Sequence, residues 1–243
     1  MRKVILFFAL LVLSYGLTAQ ISGQVAQYSS NVGITDALYN HAMGSISDKL
    51  KKIDYSDDTI EGTPYMSNTF SLATIYYGDE IVGDLYYRYN AYNEEVEIKD
   101  QNIDGAPIKG LGKDKKIKLM VNGKPMSFKT FIDKKGNTKN GYLTLLTDGE
   151  LKLYKHLKVT FKEAKKAENS LVKGNPAKFS QATRYYIESA DGNRINYVEL
   201  NNKKVLNLLS NDKKKVLSDY LKENKLKIKN EQDLIQVVTF LNN

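Results

Sequence analysis

The sequence predicts an α+β protein: a largely antiparallel, curved or partly closed β-sheet of about seven or more strands, one N-terminal helix and a C-terminal cap of short helices. Three observations predict it. Thr69–Lys99 holds six tyrosines (Tyr76, Tyr77, Tyr86, Tyr87, Tyr89 and Tyr92) among β-branched residues, a composition that suits a pleated, half-buried surface. Asn122-Gly123 and Asp148-Gly149 are strong hairpin signals, because Asn and Asp tolerate positive φ and Gly has no Cβ to clash. After Asn201 the apolar period changes from two to the spacing of a helix.

The chain opens with the grammar of an export leader. Arg2 and Lys3 precede the apolar run Val4–Leu13, and the stretch from Ser14 ends on the small residue Ala19. Residues 1–19 therefore read as a signal peptide cut after Ala19. The apolar run is about half of the ~20 residues that span a bilayer, which disfavours a membrane anchor and leaves no transmembrane segment in the mature chain. A lipidated N-terminus would need a cysteine, and the chain has none. The remaining 224 of 243 residues suffice to bury about 70% of the unfolded surface. The expected location is periplasmic or extracellular, with stability drawn from the core alone because no disulfide can form.

Charge is unevenly spread. Residues 20–108 carry 14 acidic and 5 basic side chains, residues 109–166 carry 5 and 16, and residues 167–243 carry 9 and 13. A basic block can attract an anionic surface or polyanion. Acidic and basic strands lying side by side would cancel that field, and this is the reading we favour. It places the acidic strand Glu94–Lys99 against or near a basic strand of residues 109–166.

Residues 20–62 form an N-terminal segment with one helix. It starts at Thr35-Asp36, and Leu38, Ala42, Ile46, Leu50 and Ile53 recur near every fourth position, interrupted by Gly44. His41 lies beside this stripe as a partly packed residue. Asp54, Asp57 and Asp58 end the helix in a solvated turn.

Residues 63–200 are the β-sheet region. Ile117, Leu119 and Val121 face one way, and Met126, Phe128, Thr130 and Ile132 form the next apolar row, with a further turn at Lys134-Lys135-Gly136-Asn137. Leu151, Leu153, Leu157, Val159 and Phe161 line one face of a later strand. Lys152, Tyr154, His156, Lys158 and Lys162 line its other face. Lys155 breaks the apolar row and suggests a bulge or a local exit from the core. The alternation makes His156 a surface histidine among lysines. Residues 164–178 form a loop around Gly174, Asn175 and Pro176. A last hairpin then runs over Ala182–Ser189 and Arg194–Leu200, with its turn at Asp191-Gly192-Asn193.

Residues 201–243 form the helical cap. Asn202–Leu209 carries Val205, Leu206 and Leu209. Asp212–Asn224 follows with Asn211 as its N-cap, and Asn230 caps a final helix with Leu234, Val237, Val238 and Leu241 on its apolar side.

Several chemistries have candidate residues in the chain. With no cysteine and only His41 and His156, thiolate and histidine-rich metal centres and thiol nucleophiles are excluded. Asp100, Asn102, Asp104 and Gly105 match the first half of an EF-hand loop, but the twelfth position is Leu111, so an ordinary Asp-Gly turn is favoured over calcium. Asp79, Glu80, Asp84, Glu94, Glu95 and Glu97 could supply an acid/base pair for glycan cleavage, although most lie in or next to turns, where solvated carboxylates are the common case. Arg88 shares a pleat face with Tyr86, Asn90 and Tyr92 and reads as a packed residue stabilised by cation–π contact. No residue is assigned a catalytic, cofactor-binding or metal-binding role.

Gly62-Thr63-Pro64-Tyr65 with Asn68, Arg88-Tyr89-Asn90 with Tyr92-Asn93-Glu94, and Asn224-Lys225-Leu226 before Glu231-Gln232-Asp233-Leu234 resemble blocks of a group of uncharacterised exported proteins from Bacteroidota. The resemblance runs over most of residues 62–241. It implies a secreted or periplasmic bacterial protein and transfers no catalytic residue, because that group has no assigned activity. The function expected is a non-enzymatic binding or structural protein using the concave face of its sheet. Its partner would be a small molecule or an envelope component rather than nucleic acid, with no cofactor. A binder of anionic surfaces through the basic strands of residues 109–166 and a carboxylate-dependent hydrolase are the alternatives.

Overall fold

A computed structural model describes residues 36–44, 60–165, 174–189 and 194–243. The leader, Ile46, Leu50 and Ile53, the acidic turn at 54–58 and the 191–193 turn lie outside the described residues. The chain begins with α1 (Asp36–Ala42) and β1 (Met43–Gly44). The strands β2 (Ser71–Tyr77), β3 (Glu80–Asn90), β4 (Glu95–Lys99), β5 (Lys109–Leu111), β6 (Ile117–Val121) and β7 (Lys124–Ile132) follow. Next come β8 (Thr138–Thr147), β9 (Lys152–Lys162), β10 (Lys178–Glu188) and β11 (Ile195–Val198), then α2 (Asn202–Leu206), α3 (Asn211–Glu223) and α4 (Glu231–Asn242). The protein is mostly antiparallel sheet with a few short helices, consistent with α+β.

All eleven strands belong to one sheet, in the order β1-β5-β4-β3-β2-β6-β7-β11-β10-β9-β8, and β8 also pairs with β7. The pairings from β7 through β8, β9, β10 and β11 therefore return to β7. The β7–β11 contact, at Ile132 and Asn196, is the parallel one. The remaining strands extend from the other half of β7, where Met126 lies opposite Leu119 of β6. Asn122 and Gly123 adopt φ of 50° and 74° in the β6–β7 hairpin, the pair of positive values that a type I′ turn requires. The β8–β9 connection is longer than its Asp-Gly signal suggests. It spans four residues, and the Asn242 side chain accepts from Leu151 N at 2.8 Å and donates to Leu151 O at 2.9 Å.

Three apolar clusters result. One gathers β2–β4, β6 and β7 around Ile75, Tyr89, Ile98, Leu119 and Met126, and reaches Val159 on β9. A second joins Leu153, Ile187 and Val198 of the sheet to Val205, Leu217, Leu221, Leu234, Val237 and Val238 of α2–α4. The third takes one or more residues from each strand of the ring: Phe131, Leu143, Tyr154, Tyr186 and Ile195. Leu145, Tyr154, Tyr186 and Tyr197 stand directly opposite one another across β8–β11, so their side chains share one face. On β9, Leu153 is thus buried in the cluster with residues of α2–α4, while Tyr154 is buried in the cluster of Phe131 and Ile195.

Several expectations are corrected. The helix from Thr35 does not run through Gly44: Met43–Gly44 is extended and pairs with Leu111 and Gly110. Along β7 the apolar row holds at Met126 and Phe128 and then changes face. Phe131 is buried and Thr130 exposed, because the second half of the strand turns its other side to the ring interior. The irregularity near Lys155 belongs to β8, between Leu145 and Thr147, and the Lys155 ammonium reaches Glu231 of α4 at 2.8 Å. Ser210, not Asn211, is the N-cap of α3. Asn230 and Asp233 form a full capping box on α4, satisfying two orphan donors reciprocally. Among the described residues no helix is long and apolar enough to cross a membrane.

Candidate functional site

Glu94, in the turn between β3 and β4, joins β3 to β9 through its carboxylate. That turn is braced locally. Asn90 Oδ1 accepts from Asn93 N at 3.1 Å, and Pro64 O accepts from Ala91 N at 2.9 Å. Glu94 closes it with φ 56°, a left-handed conformation that costs a residue with a Cβ about 1–2 kcal/mol. The strained backbone aims the carboxylate at β8 and β9. One oxygen accepts from Tyr89 Oη at 2.5 Å and the other from His156 Nε2 at 2.9 Å, with Lys158 Nζ 3.9 Å away. Gly141 leaves the space: a Cβ there would stand 2.6 Å from Glu94 Oε2. Burial first, and the negative charge of Glu94 second, push the Tyr89 hydroxyl well above its ordinary value, so it stays protonated and donates.

His156 is 3% exposed, which overturns its reading as a surface histidine. Its ring lies 5.1 Å from Phe131 and 6.1 Å from Tyr186, inside the ring of strands. The polar row of β9 is a second interior face, and the tyrosines on it (Tyr154 here, Tyr186 opposite) were the signal. Facing a carboxylate, Nε2 is assigned the proton. Nδ1 is buried without a hydrogen-bond partner. The pair resembles the base-and-orienter half of a nucleophilic site, but among the described residues the only hydroxyl bonded to it is Tyr89, which donates to Glu94. The arrangement can hold β3–β4 against β8–β9; among the described residues it presents no nucleophile.

The other acids are equally engaged. Glu95 and Glu97 are 5% and 4% exposed, not solvated, because β4 pairs on both sides, with β3 and β5. Glu97 Oε2 accepts from Arg88 Nε at 2.9 Å and Nη2 at 2.6 Å. Arg88 is packed and cation–π-stabilised as predicted, but against the rings of Tyr65 (4.0 Å) and Phe70 (4.6 Å) instead of its strand neighbours. Burial foremost, then Glu97, pushes the Tyr65 hydroxyl up to about 12. Glu95 meets Asn93 Nδ2 at 3.3 Å and Lys113 Nζ at 3.4 Å. Asp84 accepts from Thr74 at 2.6 Å, Asp79 lies in an exposed turn, and Glu80, also exposed, opens β3.

In the candidate calcium loop, Asp100 is already bound. Tyr39 Oη donates to it at 2.6 Å and Lys109 Nζ at 2.7 Å. Burial alone would raise this carboxyl, but the two donors outweigh it and hold the group below the ordinary range. Leu111 is buried in β5, and among the described residues no three His, Asp or Glu gather as metal ligands. His41 is exposed and meets the edge of the Tyr77 ring at 5.9 Å.

The acidic and basic segments do meet. Glu94 approaches Lys158, Glu95 Lys113 and Asp100 Lys109, and β4 pairs with β5. Lys134, Lys152 and Lys155 are also ion-paired.

Two of the concavities are lined by strand residues and lysines. A cleft of about 470 Å³ opens at the mouth of the ring, between β7, Thr138, Glu188, Arg194 and Ile195. A wider one of about 980 Å³ lies over Tyr92 and Phe161, with Lys162, Lys165 and Lys178 around it. The sequence reading singled out none of Lys129, Glu188 or Arg194, and no local pattern marks them: the ring brings them together from separate strands. No protein-family model, curated protein or solved structure matches this chain.

Proposed function

We propose that this chain is a non-enzymatic, exported binding protein that takes its ligand on the concave side of a curved sheet, with the C-terminal helices laid over the opposite side. The observation that supports this reading most is where the acids go. Glu94, Glu95, Glu97, Asp100 and Glu188 each already accept from a tyrosine, asparagine, lysine, histidine or arginine side chain of the chain itself. A hydrolytic acid/base pair needs carboxylates free to reach a substrate proton. Clefts of 470 and 980 Å³, by contrast, are of ligand size. Protein isolated from the native host should begin near Gln20, release a small molecule on denaturation and melt higher with that molecule restored. Hydrolysis of glycan or ester substrates, lost on Glu94→Gln or Glu97→Gln, would refute it.

One observation favours a polyanion instead. Lys118 Nζ lies 4.6 Å over the Tyr76 ring and Lys116 Nζ 5.5 Å over Tyr77, an interleaving of cations and aromatic rings that suits a sugar or nucleotide polymer. Pairing of six lysines in the same segment with carboxylates weakens that field. Elution from heparin below physiological salt is expected; retention well above it would make the polyanion the better reading.

A further inference from the structure

We propose that the mouth of the β7–β11 ring binds a small organic oxyanion, a carboxylate or phosphate carrying a flat apolar body. The inference rests on the binding-protein reading and names its ligand class. Three cations converge on this cleft from three places: Lys115 before β6, Lys129 on β7 and Arg194 before β11. Among the described residues none of the three has a carboxylate partner. Six lysines of the same basic segment do: Lys109, Lys113, Lys134, Lys152, Lys155 and Lys158. Three cations without a carboxylate partner that line one concavity give it a local positive field, focused by the low-dielectric walls.

The single carboxylate of the lining, Glu188, accepts the Tyr154 hydroxyl at 2.6 Å. Burial first, and Glu188 second, push that hydroxyl far above its ordinary value, so the bond persists through the physiological range. Glu188 thereby faces its own donor, and three positive charges against one leave the cleft net cationic. The Lys129 ammonium lies 5.9 Å from the centre of the Tyr154 ring.

The floor is apolar. Phe131 and Ile195 are 3% and 5% exposed, and Phe131 packs on Tyr186 with ring centroids 4.6 Å apart, so the ring is held in place from beneath. A ligand's flat apolar part can lie on that floor while its oxyanion meets the cations at the rim. The 470 Å³ volume admits a molecule of one or two rings and excludes a polymer chain from the floor.

The test uses benzoate and phenyl phosphate as probes, with inorganic phosphate and benzyl alcohol for the charged and apolar halves alone. Binding to the purified chain is followed by calorimetry and by NMR shifts of Phe131 and Ile195. One or both aromatic anions should saturate one site below about 1 mM, and whichever binds more tightly identifies the head group. Inorganic phosphate and benzyl alcohol should bind more weakly by tenfold or more. Lys129→Met and Arg194→Gln should each weaken the anion about tenfold, and Lys129→Arg should restore most of it. Lys162→Met, in the wider cleft, should change nothing. These side chains are at most half-buried, so melting temperatures should stay near that of the parent and report folding independently. Failure of both anions to saturate, or equal affinity in all variants, overturns the inference and leaves the binding-protein reading standing. Release of phenol from phenyl phosphate overturns the reading beneath it.

Discussion

Removing the Glu94 side chain is the most demanding test of the internal network. The carboxylate is 16% exposed and accepts from two largely buried groups, Tyr89 and His156. A hydrogen bond to a charged group contributes about 1.5–3 kcal/mol, and a buried donor left without a partner costs a similar amount. Glu94→Ala should therefore destabilise by about 3–5 kcal/mol, near the top of what single substitutions do. Alanine keeps the Cβ that makes φ 56° unfavourable, whereas glycine adopts it freely. Glu94→Gly should thus be about 1 kcal/mol less damaging than Glu94→Ala. Gly141→Ala supplies the partner perturbation, because its Cβ would stand 2.6 Å from Glu94 Oε2. It should cost about 1–3 kcal/mol in the parent and much less once Glu94 is alanine, a coupling that a double-mutant cycle reads directly. Urea unfolding of the five chains, with m-values compared, is the assay. Alanine and glycine variants within about 0.5 kcal/mol of the parent, or additive costs at 94 and 141, would refute the network's structural role.

Other expectations follow from single positions. Leu153 is fully buried beneath the helices and Lys152 has a side chain 44% exposed. Leu153→Asp should abolish cooperative melting, while Lys152→Asp should stay within about 0.5 kcal/mol of the parent. Burial pushes the Glu231 carboxyl up, but Lys155 and the Tyr185 hydroxyl together hold it below its ordinary value. Its contribution is therefore present above the unfolded carboxyl value, near pH 4.5, and is lost as pH falls through the lower folded value. Glu231→Gln should flatten the stability profile below that pH. Asn230→Ala removes the acceptor for Asp233 N at 2.9 Å and should cost about 1 kcal/mol by thermal unfolding.

Much of the fold could be read locally. The Tyr77–Glu80, Asn122-Gly123 and Lys134–Asn137 turns carry their own conformational reasons, and the apolar period of α4 together with Asn230 fixes that helix. What could not be read is whatever depends on remote pairing. Ile132 meets Asn196 across more than sixty residues, and nothing near either announces it. That closure is why His156 was misread. Alternation tells which residues share a face, but not whether the polar face looks at water or into a second interior. Glu95 and Glu97 were misread for a related reason, since a short acidic strand looks like an edge until β5 covers it. The ring-mouth cations escaped notice because Lys115, Lys129 and Arg194 are ordinary lysines and an arginine until the ring gathers them.

The order of the strands also bears on how this chain tolerates its own neighbours in solution. An open sheet ends in two rows of unpaired N–H and C=O groups, each a template for another chain. Here β8, last in the order, is paired back to β7, so one of those rows is gone. At the other end stands β1, two residues long, whose φ/ψ path comes straight out of α1. Among the described residues the sheet thus offers a single terminus, too short to nucleate edge-to-edge addition. In a chain with no disulfide that geometry removes a template for edge-to-edge pairing. Trimming the chain past Gly44 would bare β5, with Lys109 and only three residues, and should raise the aggregation rate only slightly.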